Sequence, residues 1–389
     1  MNNKINIIQF MPYFPPHKWW VETVWEEIGK YWVKNNFWEF INVVTEFEQN
    51  PLSISPQGRE VEQVIFNWEV IWYKKGWYEV LVCPSIEIIN NFPVYKFWDK
   101  KYWIIMQYLN EKIWENKNNF RVLTHTRFFL TSFIWWIFAR KNNIKWIHIE
   151  HWSSYVKLSS KLKSYLSIVY DKSFGKWIFK KADKVLAISE ACKTFINKEF
   201  VDREVDIFYR GIDLSDININ KTWDIKFIFI WRLVNLKWVS DLVEAYKKSW
   251  LKNGLIIIWD WEEKEKLESI SKWFNITFLW FRNRDFIIDF LSKNHLILIN
   301  PSYQEWMPTT VIEALSTWTL VIASDVWGTP EISNNGDLIL FEAWNKSELG
   351  EKLKYSLVNY KKLNWLSLRL INERFNRENN ISNLYDLVK

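Results

Sequence analysis

A chain of 389 residues with 25% charged and 49% hydrophobic side chains is long enough for two domains with separate cores and has the balance of a globular protein. Its net charge of +6 suits anionic substrates or an anionic membrane surface, but it is too diffuse for nucleic acid, and no arginine-rich tract, zinc-ligand spacing or RNA-binding signature is present. The two cysteines, Cys83 and Cys192, make neither a disulfide framework nor a metal set, so a reducing cytoplasm is expected.

In chain order, short β-branched runs alternate with helical patterns. The first series of predicted strands is Ile5–Phe10, Ile41–Thr45, Tyr78–Val82, Val122–Thr124, Trp146–Glu150, Lys184–Ile188 and Asp206–Tyr209. The second is Lys226–Ile230, Gly254–Ile258, Ile276–Leu279, Leu296–Asn300 and Leu320–Ala323. Amphipathic helices are predicted at Val21–Val33, Ser240–Lys248, Lys264–Lys272 and Thr309–Thr317, and a local hairpin at Val64–Phe66 with Glu69–Tyr73. Such alternation implies an α/β protein with parallel sheets covered on both faces. The polar seam Gly211–Asp224 divides the chain into two Rossmann-like domains, 1–215 and 216–370. Residues 371–389 form a C-terminal helix expected to pack back toward the first domain.

The N-terminus runs straight into a strand, so no signal peptide is expected. Phe128–Ala139 is the most apolar stretch but falls short of the ~20 residues that cross a bilayer, and it is predicted as a buried helix. Lys157–Lys181 reads as a basic amphipathic segment suited to anionic headgroups, although charge runs commonly form solvated faces.

Twenty-nine tryptophans stand against nine glycines, where glycine usage averages about 7%. Several tryptophans occupy places where a backbone turns sharply or is closely approached, among them Trp19, Trp20, Trp152, Trp231, Trp238, Trp259, Trp261, Trp306, Trp318 and Trp327. UGA is a stop codon in the standard code, tryptophan in one variant code and glycine in another. Translation of a UGA-glycine gene with the wrong table would produce this pattern. Trp98, Trp103 and Trp146 lie in apolar or aromatic sequence and read as genuine.

Two segments carry the chemistry. Asn300–Ala314 leaves a strand, makes a tight loop and enters a helix at Pro308, so the amides of Thr309 and Thr310 sit at a helix N-terminus suited to a phosphate. Glu313 lies in the next turn and can accept hydrogen bonds from a ribose diol, while Glu305 faces the same crevice. In the second segment, Phe229–Trp238, a strand ends and Arg232 and Lys237 follow, two cations that would stabilise a diphosphate leaving group. Glu305 and Glu313 do not define the geometry of a glycosidase pair. His151 ends another strand as either a core residue or a site residue.

With glycine at 306, Glu305–Glu313 resembles the Glu-x7-Glu signature of family 4 glycosyltransferases, which have the GT-B fold. Pro15–Glu22 is similar to the family's Pro-x-x-Gly-Gly-x-Glu loop if Trp19 and Trp20 are glycines, and His151-Trp152-Ser153 to its His-Gly-Ser. Gly211-Ile212-Asp213, Trp231-Arg232-Leu233, Lys237-Trp238, Trp259-Asp260-Trp261 and Val326–Glu331 match further motifs in order, although Arg210 stands where asparagine is usual.

The resemblance implies retaining transfer of a sugar from a nucleotide-sugar to a glycan or lipid-linked acceptor, in cell-surface polysaccharide or glycolipid synthesis. It places Arg232 and Lys237 on the diphosphate with the backbone at Trp19 and Trp20, Glu313 on the ribose, and Glu305 and His151 near the reacting sugar. No metal or other cofactor is implied, and the enzyme would be cytoplasmic or peripheral on the inner face of a membrane. Two alternatives stay open: another GT-B enzyme, such as a nucleotide-sugar epimerase or phosphorylase, and a non-enzymatic aromatic-rich carbohydrate- or membrane-binding protein.

Overall fold

The computed structural model describes residues 4–11, 20–37, 39–45, 62–66, 70–75, 78–89, 92–114, 116–156, 160–212, 224–230, 237–259, 269, 271–280, 282, 284–332, 338–363 and 374–389. The chain divides into two units. Met1–Ile188, Cys192–Phe208 and Ile381–Lys389 form one; Ser189–Ala191 and Tyr209–Asn380 form the other.

The first unit begins with β1 (Asn6–Met11), α1 (Trp20–Lys34) and β2 (Phe40–Thr45). Strands β3 (Glu62–Phe66), β4 (Val70–Lys75) and β5 (Tyr78–Cys83) follow, then a separate hairpin of β6 (Ser85–Ile89) and β7 (Phe92–Tyr95). Next come α2 (Lys100–Trp114), β8 (Phe120–His125), α3 (Thr131–Asn142) and β9 (Lys145–Glu150). Helix α4 (Lys161–Tyr170) continues through a π-helical segment, Asp171–Gly175, into α5 (Lys176–Lys181), and β10 (Lys184–Ala187), α6 (Glu190–Glu199) and β11 (Asp206–Ile207) complete the series. The sheet order is β11-β10-β9-β8-β1-β2-β5-β4-β3, parallel from β11 to β5 and antiparallel beyond. Strands β1, β2 and β8 are buried at every position, so their near-continuous apolar runs fit a sheet covered on both faces.

The second unit follows the same logic: β12 (Lys226–Ile230), α7 (Lys237–Ser249), β13 (Leu255–Trp259), β14 (Ile276–Trp280), α8 (Arg284–Lys293), β15 (Leu296–Asn300), α9 (Thr309–Ser316), β16 (Leu320–Ser324), β17 (Leu338–Phe341) and α10 (Lys346–Leu363). All its strand pairs are parallel, in the order β14-β13-β12-β15-β16-β17. Helix α11 (Arg377–Val388) ends the chain, and the buried Arg121 side chain of the first unit donates to the carbonyls of Val388 and Lys389 at 2.8 Å each.

The predicted strands recur within a residue or two, except that the last strand of the first series is only Asp206–Ile207. The hairpin also forms, pairing Phe66 with Val70. The apolar stretch at 128–139 is a helix, α3, buried along one side only, with Phe133 exposed on the other. Trp146 is buried and donates to Thr124 Oγ1, whereas Trp98 and Trp103, read from sequence as belonging to apolar surroundings, are exposed.

Helix ends bear directly on the tryptophan question. After α9, Trp318 N–H bonds Leu315 O at 3.1 Å and Thr319 N–H bonds Ala314 O at 2.9 Å, a Schellman motif that holds Trp318 at φ 55°. Asn36 and Asn143 close the same kind of turn after α1 and α3, and asparagine tolerates it. Tryptophan does not, because its Cβ crowds the following carbonyl. Yet among the described residues five of the eight non-glycine positions with positive φ are tryptophans: Trp250, Trp273, Trp318, Trp327 and Trp344. All five indoles are exposed, Trp250 at 83% and Trp273 at 97%. Trp32, in contrast, is fully buried, with Nε1 donating to Ile5 O at 3.1 Å.

Replacing Trp250 or Trp318 by glycine is expected to stabilise the fold by about 1 kcal/mol each. Trp32→Gly is expected to destabilise it by about 3–5 kcal/mol. Urea unfolding of the three variants separates the two classes, and a loss of stability in all three would remove the distinction.

Candidate functional site

In the second unit the winding direction of the sheet reverses between β12 and β15, which are adjacent and parallel. Loops leaving their carboxyl ends therefore diverge and open a crevice, the general place for a ligand in such a sheet. The loop after β12 contains Arg232, which lies outside the described residues with Trp231. Lys237 opens α7, but its side chain also lies outside what is described.

The loop after β15 is defined in detail. Asn300, at the strand end, donates to Glu305 Oε1 at 3.3 Å, and Tyr303 O–H donates to Asp241 on α7. Gly328, in the loop after β16, donates its N–H to Glu305 O at 3.1 Å. A Cβ at Gly328 would lie 1.9 Å from the Trp306 carbonyl oxygen, so only glycine permits this approach. The Glu305 carboxyl is buried, which pushes its pKa up to about 8 against the opposing hydrogen bonds from Asn300 and Ser302. It is mostly protonated at neutral pH and can donate as well as accept.

Pro308 caps α9, and the first amides to bond back are those of Val311 and Ile312, both to Pro308 O. Thr309 and Thr310 thus head the helix, where unpaired amides and the helix dipole favour an anion. Glu313 is buried one turn on, with Arg284 Nε donating to its Oε1 at 2.7 Å and Arg210 Nη2 at 3.9 Å from the same oxygen. Arg210 Nη1 also donates to Thr309 Oγ1 at 2.6 Å. The residue that departs from the usual asparagine therefore adds a cation at the head of α9.

In the first unit the corresponding reversal lies between β1 and β8. Trp19 lies outside the described residues and Trp20 opens α1, with its side chain not described. His125 ends β8 and His151 follows β9; His125 Nδ1 and His151 Nε2 are 3.1 Å apart. Burial pushes His151 down to about 4, Glu150 opposing and His148 adding to the shift, so its ring is neutral at pH 7. Glu150 organises the loop: Oε1 accepts from the amides of His151 at 3.0 Å and Trp152 at 2.9 Å, and Oε2 from Arg127 N–H at 3.0 Å. The buried Arg127 guanidinium bridges Glu150 at 3.2 Å and Asp171 at 3.1 Å. Burial raises both carboxyls. For Glu150 the Arg127 charge and the His148 hydrogen bond outweigh it, holding the group at about 2; for Asp171 burial prevails over Arg127, at about 6.

The pattern described as Glycosyl transferases group 1 matches residues 213–367, and that described as Glycosyltransferase Family 4 matches residues 70–216. An uncharacterized glycosyltransferase of Methanocaldococcus jannaschii is 31% identical over 355 residues, covering 86% of this chain and 84% of the relative. The chain belongs to the GT-B glycosyltransferases. Sucrose-phosphate synthase from Thermosynechococcus elongatus shares the fold at 14% identity and a TM-score of 0.75, over 99% of this chain and 98% of that one. The Anabaena protein HepE, solved with UDP and glucose, shares it at 12% identity and a TM-score of 0.68, over 98% of each chain. Family membership makes the glycosyltransferase an enzyme and sets aside the reading of it as a binding module.

Sequence reasoning brought Glu305, Thr309, Thr310 and Glu313 to one loop and helix, and the structure places them there. It missed Arg284 and Glu150. Arg284 meets Glu313 across 29 residues of sequence, and Glu150 joins the Arg127 amide of the loop after β8 to the amides of its own loop, so neither leaves a local pattern.

The raised pKa of Glu305 has a measurable sign. A carboxyl shifted from 4.5 to about 8 gives stability that is fully present below pH 4.5 and is lost as pH rises through 8. Glu305→Gln is therefore expected to melt several degrees above the parent at pH 9 and close to it at pH 5. Parallel melting curves at both values would expose a pH-independent mechanism.

Proposed function

We propose that this glycosyltransferase moves a sugar from a nucleotide-sugar donor to the hydroxyl of a glycan or lipid-linked acceptor, with retention at the anomeric carbon, in cell-surface polysaccharide or glycolipid synthesis. The observation that carries the donor assignment is the head of α9 at the β12/β15 reversal, with Thr309, Thr310 and Glu313 within one turn. Arg232 and Lys237 would hold the diphosphate together with the amides of Thr309 and Thr310 and the backbone at Trp19 and Trp20. Glu313, oriented by Arg284, would take the ribose. Glu305 and neutral His151 would contact the reacting sugar through hydrogen bonds. In this reading side-chain cations and the helix dipole stabilise the departing diphosphate, so neither a metal nor another cofactor is invoked. The enzyme would work in the cytoplasm, peripheral to the inner face of a membrane. No helix among the described residues is long and apolar enough to cross one.

Glu313→Ala and Lys237→Ala are each expected to lower donor hydrolysis and transfer by roughly 100-fold or more while circular dichroism stays unchanged. A panel of labelled nucleotide-sugars provides the assay. Full activity in both variants would overturn the donor site, and epimerised rather than transferred sugar would redirect it to another reaction.

We also infer that many of the tryptophans are glycines in the protein as its own cell makes it, through UGA read as glycine. Left-handed backbone at Trp250, Trp273, Trp318, Trp327 and Trp344 supports this, and four of these positions carry no family motif. The gene is expected to read TGA at these five codons and at Trp19, Trp231 and Trp306. TGG throughout would sink the inference, as would an intact mass that retains every indole.

A further inference from the structure

Helix α4 shows its apolar side to solvent. Leu162, Tyr165, Leu166 and Val169, spaced i, i+3, i+4 and i+7, are 67, 64, 57 and 47% exposed. Such spacing puts four side chains on one stripe, which in a globular domain normally faces the core. The core instead takes the continuation of the run. Across the π-helical segment, Asp171 and Gly175 meet buried Arg127, and Ile178 and Phe179 of α5 enter the main apolar cluster.

The stripe is not isolated. Phe174, on the same helical run, lines a groove of about 1250 Å³ beside α2 and α3, with Phe97, Tyr102, Met106, Phe133 and Ile134. Apolar exposure of this extent marks an interaction surface. The charge carried by the same run points to the partner. From Lys161 to Lys181 the chain carries six exposed lysines, Lys161, Lys163, Lys172, Lys176, Lys180 and Lys181, and its single acid, Asp171, is buried on Arg127. A second copy presenting the same face would meet like charge. An anionic bilayer would take the stripe among its acyl chains and the lysines among its headgroups.

We propose that α4, with the groove reached through Phe174, is the surface by which this protein docks on an anionic lipid bilayer. The proposal rests on the peripheral placement given above and assigns it to particular residues. The test is co-sedimentation of the full chain with phosphatidylcholine vesicles, with and without phosphatidylglycerol, at about 0.1 M salt, where the Debye length is about 10 Å. Binding is expected only to the anionic vesicles, falling as salt rises. Leu162→Asp with Leu166→Asp, and separately Lys163→Glu with Lys172→Glu, should each weaken it by roughly tenfold or more without shifting the melting temperature. A Leu166→Cys protein carrying an environment-sensitive dye should show a blue shift on the same vesicles, a readout that survives if the aspartate pair fails to fold. Parent protein that ignores anionic vesicles would remove the peripheral placement altogether. Parent that binds while both double variants and the dye are unaffected would remove this surface alone. A stable dimer dissolved by the aspartate pair would replace the bilayer with a second copy.

Discussion

Pairing of β12 with β15 is the constraint on which the candidate site of the second unit depends. Crossovers between parallel strands are right-handed, so chains wound outward in opposite directions from two neighbouring strands send their helices to opposite faces. Neither α7 nor α9 can then cover the carboxyl ends of the pair. What the crevice contains follows from which residues leave those ends. After β15 these are a buried carboxyl, a proline that stops the strand and a helix whose first amides are unspent on its own backbone. The electrostatics needed for an anionic ligand thus come largely from topology, with Arg210 and the Arg284–Glu313 pair refining it.

The first unit is organised around a different kind of constraint. A fully buried guanidinium between two carboxylates is costly to assemble and worse to break, because losing one partner leaves an uncompensated charge. Glu150 spends its remaining capacity on the amides that position His151, so the same network that ties β9 to the π-helical segment also fixes the histidine's backbone. This couples a choice of helix geometry at 171–175 to the placement of a candidate site residue some twenty positions earlier.

The core strands were legible because buried parallel strands are written as β-branched runs between polar turns, as in Ile297–Ile299 or Ile256–Ile258. The edges were not. Phe92–Tyr95 contains a proline and pairs only in a small hairpin, and Leu338–Phe341 sits at the end of its sheet; neither shows a distinctive period. The site was legible where its parts are neighbours in sequence, at Glu305–Glu313, and where a family pattern could be matched. It was illegible where contacts span the fold: the Arg284–Glu313 pair, the His125–His151 contact and the Arg127 network are products of strand order, which no local run of residues encodes. Glycine-seeking positions outside the motifs, such as 250, 273 and 344, became visible only as backbone angles.

Gly328 presses its α-carbon against the Trp306 carbonyl while its amide holds Glu305, and this makes the loops after β15 and β16 a single mechanical part. Neither can slide without the other, since there is no side chain to act as a cushion between them. A ligand that displaces the chain at 305–307 must therefore carry 327–329 with it. A side chain at position 328 would disturb two contacts at once, the approach to the Trp306 carbonyl and the hydrogen bond to Glu305 O.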